Sequence, residues 1–196
     1  MNPDLEEEIE YVKDLLVKSG FFDVEEIREI LEDQFIEEEI DFSKRNIYLN
    51  DSDNINFNRL ERVFEALASE DIVAIHNCGY DLDEGVGDAF ELYVHLKNNK
   101  FSPKGFCFYS FEDIEYSIWD EKLKITFGDF ENSEEKALEI GKIVEDYLKA
   151  ENFSIIWDGT VNNQIEINPF KWDKSFDGDK DYEIEGAYEV FINRRC

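Results

Sequence analysis

Near the start of the chain, apolar residues recur at helical spacing in two runs separated by Ser19-Gly20. Leu5, Ile9, Val12 and Leu16 form the first stripe, and Val24, Ile27, Leu31 and Phe35 the second. Asp23 followed three residues later by Glu26 reads as a capping box that opens the second helix. Residues 1–42 are therefore expected to form a helical pair, packed on or appended to the main domain. A polar connector rich in Asn, Asp and Ser covers 43–56. A helix over about 58–69 then buries Leu60, Val63, Phe64 and Leu67.

After this helix the pattern changes to short strands alternating with helices. Strands are expected over 72–77, 105–109, 122–127, 153–157 and 164–167, and helices over about 83–98, 110–119 and 133–151. Ser110, with Asp113 at the third helical position, reads as a cap. In the last helix Ala137, Ile140, Gly141, Val144 and Leu148 share a face, and a glycine in that stripe implies close approach to the sheet. Leu123, Ile125 and Phe127 alternate with Lys122, Lys124 and Thr126, so one face of that strand is buried and the other wet. The expected fold is α+β, a mixed sheet of about five strands with helices mainly on one face. Its last two strands form a hairpin across 158–163. The core domain would run over 43–172, and 173–196 would be an acidic tail with a stretch at 187–192 readable as a short strand.

Composition narrows the classes. The 196 residues are 42% hydrophobic with 17 Phe, enough to bury a core and unlike a disordered chain. Against 20 Lys and Arg stand 49 Asp and Glu, a net charge of −29. Such a surface repels phosphate backbones and anionic lipid, so neither nucleic acid nor membrane is an expected partner. Residues 1–42 alone carry sixteen acids against Lys13, Lys18 and Arg28. No apolar run reaches the roughly 20 residues that span a bilayer. The first residues show no basic stretch followed by an apolar one. With an odd set of cysteines, Cys78, Cys107 and Cys196, these features point to a reducing, cytoplasmic setting. The sequons at Asn50 and Asn152 are read as chance.

Reactive side chains are densest at 76–83. His76 and Cys78 lie two apart on an expected strand and should share a face, with Asp81 placed to orient a base. Against this, a strand cysteine is ordinarily a small buried hydrophobe, and nearby negative charge raises a thiol pKa. Tyr109, Glu112 and Asp113 at the next strand-to-helix junction could complete a polar pocket with Asp83, although helix capping accounts for the acids more economically. Two histidines and scattered cysteines supply no closed zinc set, and no metal or other cofactor is expected. Asp177-Gly178-Asp179-Lys180-Asp181 begins like a calcium loop. It fails where an EF-hand needs Gly and Glu, with Tyr182 and Tyr188 there instead. Gly85-x-Gly87 lacks the third glycine of a phosphate cradle and is surrounded by acids.

The order of short motifs is more telling than any one of them. Phe21-Phe22 follows Ser19-Gly20; then come Ala74-Ile75-His76-Asn77-Cys78-Gly79-Tyr80, Gly105-Phe106-Cys107-Phe108-Tyr109 with Glu112-Asp113, Ile125-Thr126-Phe127-Gly128, and Ile156-Trp157-Asp158-Gly159. Over about residues 10–172 the series resembles a bacterial domain-of-unknown-function family of small acidic α+β proteins. That family commonly has Gln-Asp where this chain has Glu112-Asp113. The resemblance implies one shared architecture and a bacterial cytoplasmic setting, and brings no activity with it. The remaining functional expectation rests on charge: a protein-binding module whose acidic surface meets a basic partner, as an immunity-type inhibitor or nucleic-acid mimic does. The alternatives are an enzyme with a site near 76–83 and 109–113, or a sensor of a divalent ion or small ligand.

Overall fold

The computed structural model describes residues 3–178 and 180–194. Its helices are α1 (Pro3–Ser19), α2 (Val24–Gln34), α3 (Ile55–Leu67), α4 (Leu82–Asn98), α5 (Phe111–Asp120), α6 (Glu134–Ala150) and α7 (Ile184–Ile192). Its strands are β1 (Ile72–Ile75), β2 (Gly105–Phe108), β3 (Leu123–Asp129), β4 (Ile155–Ile156) and β5 (Ile165–Ile167), in the order β1-β2-β3-β5-β4. β1 and β2 run parallel across the α4 crossover, and the other pairs are antiparallel, with β4 and β5 the expected hairpin. The α+β class with its mixed sheet and leading helical pair is as the sequence implies.

Two apolar layers sandwich part of the sheet. One packs Ile72, Cys107, Leu123, Ile125, Ile165 and Ile167 against α3 and α6. The other packs Val73, Ile75, Phe106 and Phe108 against α4 and α7. In the β3-β5-β4 half the second face stays polar, with Lys124 opposite Glu166, as the alternation requires. In the β1-β2 half it is covered, because GFCF in β2 is apolar at every position.

α1 and α2 enclose their own small core of Ile9, Leu16, Ile27, Leu31 and Phe35, joined by Phe42 and Ile47. The Asp23–Glu26 capping box opens α2. The pair docks on α5 through Phe22 against Phe111 and Tyr11 stacked on Trp119.

The tail corrects the expectation. Residues 184–192 are helical, not a strand: Ile184, Ala187, Tyr188 and Phe191 recur three and four apart and face the α4-side layer. Nor is the start of the tail loose: Lys174 and Ser175 are buried, while Asp177, Gly178, Lys180 and Asp181 beyond them are exposed. The α3 N-cap residue, Asn54, makes no side-chain cap bond. Instead Asp173 accepts from the amides of Asn56 at 2.8 Å and Phe57 at 2.9 Å. Asn50 donates to the Lys174 carbonyl, Ser52 to that of Asp173, and Trp172 Nε1 to Ser19 O at 3.0 Å. The polar connector is polar because it is strapped to this segment.

Gly141 sits where the stripe implies. A Cβ there would lie 2.6 Å from the Phe127 ring and 2.9 Å from that of Trp157, whereas one at Gly87 in α4 would meet nothing. Gly141→Ala is expected to destabilise by about 1–3 kcal/mol through overpacking, and Gly87→Ala to stabilise by about 1 kcal/mol through helix propensity. Urea midpoints of the two variants should move in opposite directions; a shared direction would contradict this packing.

Candidate functional site

The sequence-predicted residues do not form one pocket. β1 ends at Ile75, and Asn77 adopts a left-handed φ of 48°, which breaks the alternation on which a shared His76/Cys78 face depends. His76 turns toward Phe57, Phe64 and Tyr182, and its Nδ1 lies 2.8 Å from Tyr109 Oη. Cys78 joins the opposite layer, its Sγ donating to Gly85 O at 3.4 Å. Asp81 caps α4 by accepting from the Glu84 amide at 3.0 Å, and Asp113 closes a capping box with Ser110. Asp83 and Glu112 are exposed on first helical turns. Of the seven, the side chains of His76 and Tyr109 meet each other, and Cys78 alone lines the cleft described below.

Electrostatics follow this placement. Burial pushes the Cys78 thiol far up, with help from Asp88 and Glu183, and burial does the same at Cys107. Burial also raises the Asp113 carboxyl against the lowering pull of its Ser110 hydrogen bonds. Burial, with the positive charges of Lys174 and Lys180, pushes the His76 imidazole down to about 3. The hollow beside His76 measures about 30 Å³, room for little more than a water. A thiolate–imidazole pair is therefore not assembled. Gly85 is required by the Phe108 ring packed against it, which answers the phosphate-cradle pattern. Asp177 accepts from Tyr182 and lies 3.2 Å from Lys174 Nζ, while Asp179 of the calcium-like loop lies outside the described residues. Among the described residues no three His, Cys, Asp or Glu groups gather closely enough to hold a metal.

What the fold does assemble is a cleft of about 620 Å³ between the helical pair and the core. α1 contributes Tyr11, Val12 and Leu15, α2 Ile30, and the intervening turn Phe22. The opposite wall is the loop Asn77-Cys78-Gly79-Tyr80 with Phe111 of α5 and the start of α7. That loop is pinned by backbone bonds: Cys78 N to Tyr109 O at 2.9 Å, Phe111 N to Gly79 O at 3.1 Å, and Glu112 N to Tyr80 O at 2.9 Å. Gly79, at φ 67°, is needed because a Cβ would lie 2.5 Å from Gly85 N. Four carboxylates, Glu8, Asp88, Glu115 and Glu183, line the cleft, and among the described residues no Lys, Arg or His does. Tyr11 and Tyr80 are 45% and 55% exposed at its mouth, beside Trp119. Asn77 Nδ2 donates to the exposed Glu183 at Oε1 over 2.7 Å, while Asn77 Oδ1 is buried, out of reach of solvent in the cleft, and without a partner. Such an orphan acceptor costs about 1–3 kcal/mol.

Composition and spacing do not signal this cleft, since its walls lie far apart in the chain. The one local signal is Asn77 itself, a polar residue at the strand end within the reactive 76–83 stretch. Below the usual His value of 6.5 and above about 3, the unfolded chain binds a proton at His76 that the folded protein refuses, so stability falls as pH falls through that window. The slope from this group approaches about 1.4 kcal/mol per pH unit. Urea unfolding between pH 7 and 5 should therefore show a shallower pH dependence for His76→Gln than for the wild type; equal slopes would mean that native His76 takes up the proton.

Residues 2–176 match the model of a domain of unknown function (DUF6891). No curated protein and no solved structure matches the chain. No described helix is long and apolar enough to cross a membrane. The match takes in α1, α2, the β1–α4 loop, α5 and the segment that caps α3, and ends before Glu183 and α7. The chain belongs to the DUF6891 family.

Proposed function

We propose that this protein is a binding module of the bacterial cytoplasm that takes a basic segment with apolar side chains, from a protein partner, into the cleft between the helical pair and the core. The observation that carries the reading is the lining itself: apolar walls, four carboxylates and no described base. Apolar walls give affinity, and the acidic surround raises the encounter rate with a cationic partner and selects against anionic ones. Exposed Tyr11, Tyr80 and Trp119 at the mouth are of the residue types that dominate interface energetics. The volume falls within the roughly 300–1,000 Å³ of ligand pockets, so inserted side chains fit better than a flat electrostatic contact. This favours an inhibitor that seizes a basic protein over a mimic of nucleic acid, whose recognition needs charge alone. Chemistry at 76–83 and 109–113 draws no support from His76, Cys78 and Tyr109, which are buried, or from Asp81 and Asp113, which cap helices, while Asp83 and Glu112 are exposed and apart from them.

Affinity capture from native lysate at low salt should recover a stoichiometric basic protein, and high salt should release it. The double charge reversal Glu8→Lys with Glu115→Lys should weaken the interaction by about tenfold or more, read as a dissociation constant on the recovered pair. Recovery of no basic partner at either salt, or capture indifferent to the reversal, would sink the reading.

A further inference from the structure

The outer face of α4 carries a pattern that the packing of this chain does not use. Gly85, Ala89, Leu92 and Leu96 turn inward, and the exposed positions opposite them include Asp83, Gly87, Phe90, Val94 and Lys97. These five recur four, three, four and three residues apart, the spacing of a seam between paired helices. Phe90 is 39% and Val94 54% exposed. Phe90 stands edge-on to the buried Phe130 at 5.4 Å, so the seam continues the apolar layer beneath α4.

Gly87 lies in the middle of this seam. After proline, glycine is the poorest residue for a helix interior, so its presence calls for a reason. Gly85 has one, because the Phe108 ring occupies the place of its Cβ, but a Cβ at Gly87 would meet nothing within 4 Å. What Gly87 supplies is an outward notch, into which the side chain of a second helix can sink as the two backbones approach.

The charges choose that helix. α4 is acidic in its first turn, at Asp83 and Glu84, and basic in its last, at Lys97. A second copy of α4 laid antiparallel across a two-fold axis matches this face layer by layer. Asp83 then stands opposite Lys97 of the second copy, Gly87 opposite Val94, and Phe90 opposite Phe90 at the axis. Parallel pairing would set Asp83 against Asp83 and Lys97 against Lys97. A uniformly basic segment would suit the Asp83 end and be repelled at Lys97.

We infer that this face is an interface between two copies of the chain, made by antiparallel pairing of α4 about a two-fold axis at Phe90. The seam shares no residue with the lining of the cleft, so the inference stands apart from the binding reading. At 17 residues α4 is about 25 Å long, which places the contact among small, reversible interfaces.

Sedimentation equilibrium of the full chain should show a monomer and a dimer exchanging with a dissociation constant of micromolar order. With a net charge of −29 on each copy, long-range repulsion opposes association and salt screens it. The dimer should therefore tighten as salt is raised, the reverse of a basic partner held in the cleft. Val94→Glu, at an exposed position, should abolish the dimer. Asp83→Lys and Lys97→Glu should each weaken it by about tenfold or more, the first even though it lowers the net repulsion. Combining the two restores the net charge and the facing of opposite charges, and should restore the dimer. A chain that stays monomeric at millimolar concentration at both low and high salt would overturn the interface. So would a dimer that survives Val94→Glu, or a double reversal that recovers nothing of what the single ones lose. A basic partner captured by a monomeric chain would remove the interface and leave the binding module standing; a dimer that behaves as expected with an empty capture would do the opposite.

Discussion

Residues 172–178, together with Tyr182, hold the separate parts of the molecule in one arrangement. Their hub is Lys174, 1% exposed, with Nζ 4.8 Å from the Phe21 and Phe57 ring centres and 4.4 Å from that of Tyr182. A buried ammonium is costly unless its charge is met. Here three aromatic faces, the Ser175 carbonyl at 3.2 Å and Asp177 meet it, though burial still lowers the Lys174 pKa. Phe21 belongs to the turn between α1 and α2, Phe57 to α3, and Tyr182 pairs its carbonyl with His76 N beside β1. One charge thus ties the helical pair, the first core helix and the first strand together. Gly20 allows it: at φ 73° it passes so close to the Lys174 backbone that no larger side chain fits.

The excess of acid has to be reconciled with such close packing. Near the helical pair the few bases are engaged structurally. Arg45 reaches Glu6 at 2.8 Å and Glu10 at 3.0 Å, Lys13 pairs with Glu10, and Lys18 lies 4.2 Å over the Trp119 ring. None of these pairs joins α1 to α2, whose shared core of Ile9, Leu16, Ile27, Leu31 and Phe35 shows that apolar burial, not charge pairing, holds them to each other. The carboxylates facing the cleft lack such partners among the bases lining it. The net charge therefore has a direction as well as a size, with a local concentration over an apolar opening.

Local rules make much of the fold legible. Helical stripes, the Asp23–Glu26 box, the Ser110 cap and the alternation in 122–127 each report interactions within a few residues, and each stands where the pattern places it. α7 reads as a strand from its valine and aromatic content, while the three- and four-residue spacing of Ile184, Ala187, Tyr188 and Phe191 carries the answer. The tail's role is invisible for a different reason: the Asp173 cap on α3 spans more than a hundred positions, and no periodicity reports such a bond. The cleft is hidden in the same way, since Phe22 meets Phe111, and Asn77 meets Glu183, only after the chain has folded. At 76–78 the alternation rule fails at one residue, Asn77, whose left-handed backbone sends Cys78 to the other side of the sheet.

That failure is informative about where local preference gives way. Asn77 holds a positive φ outside glycine, a conformation that asparagine tolerates better than most residues. Glu183 stands at the N-cap of α7, yet makes no cap bond, its carboxylate being turned to Asn77 instead. Two departures from what each segment would choose alone thus meet in a single hydrogen bond between residues that line the cleft. Most caps and stripes agree with the fold, as they must for a sequence to specify one structure, although Asn54 at the start of α3 also holds a positive φ and makes no cap bond. Charge alone points to the outer faces of α1 and α2, whereas acid and apolar surface coincide at the inner face of the helical pair, where the proposed site lies.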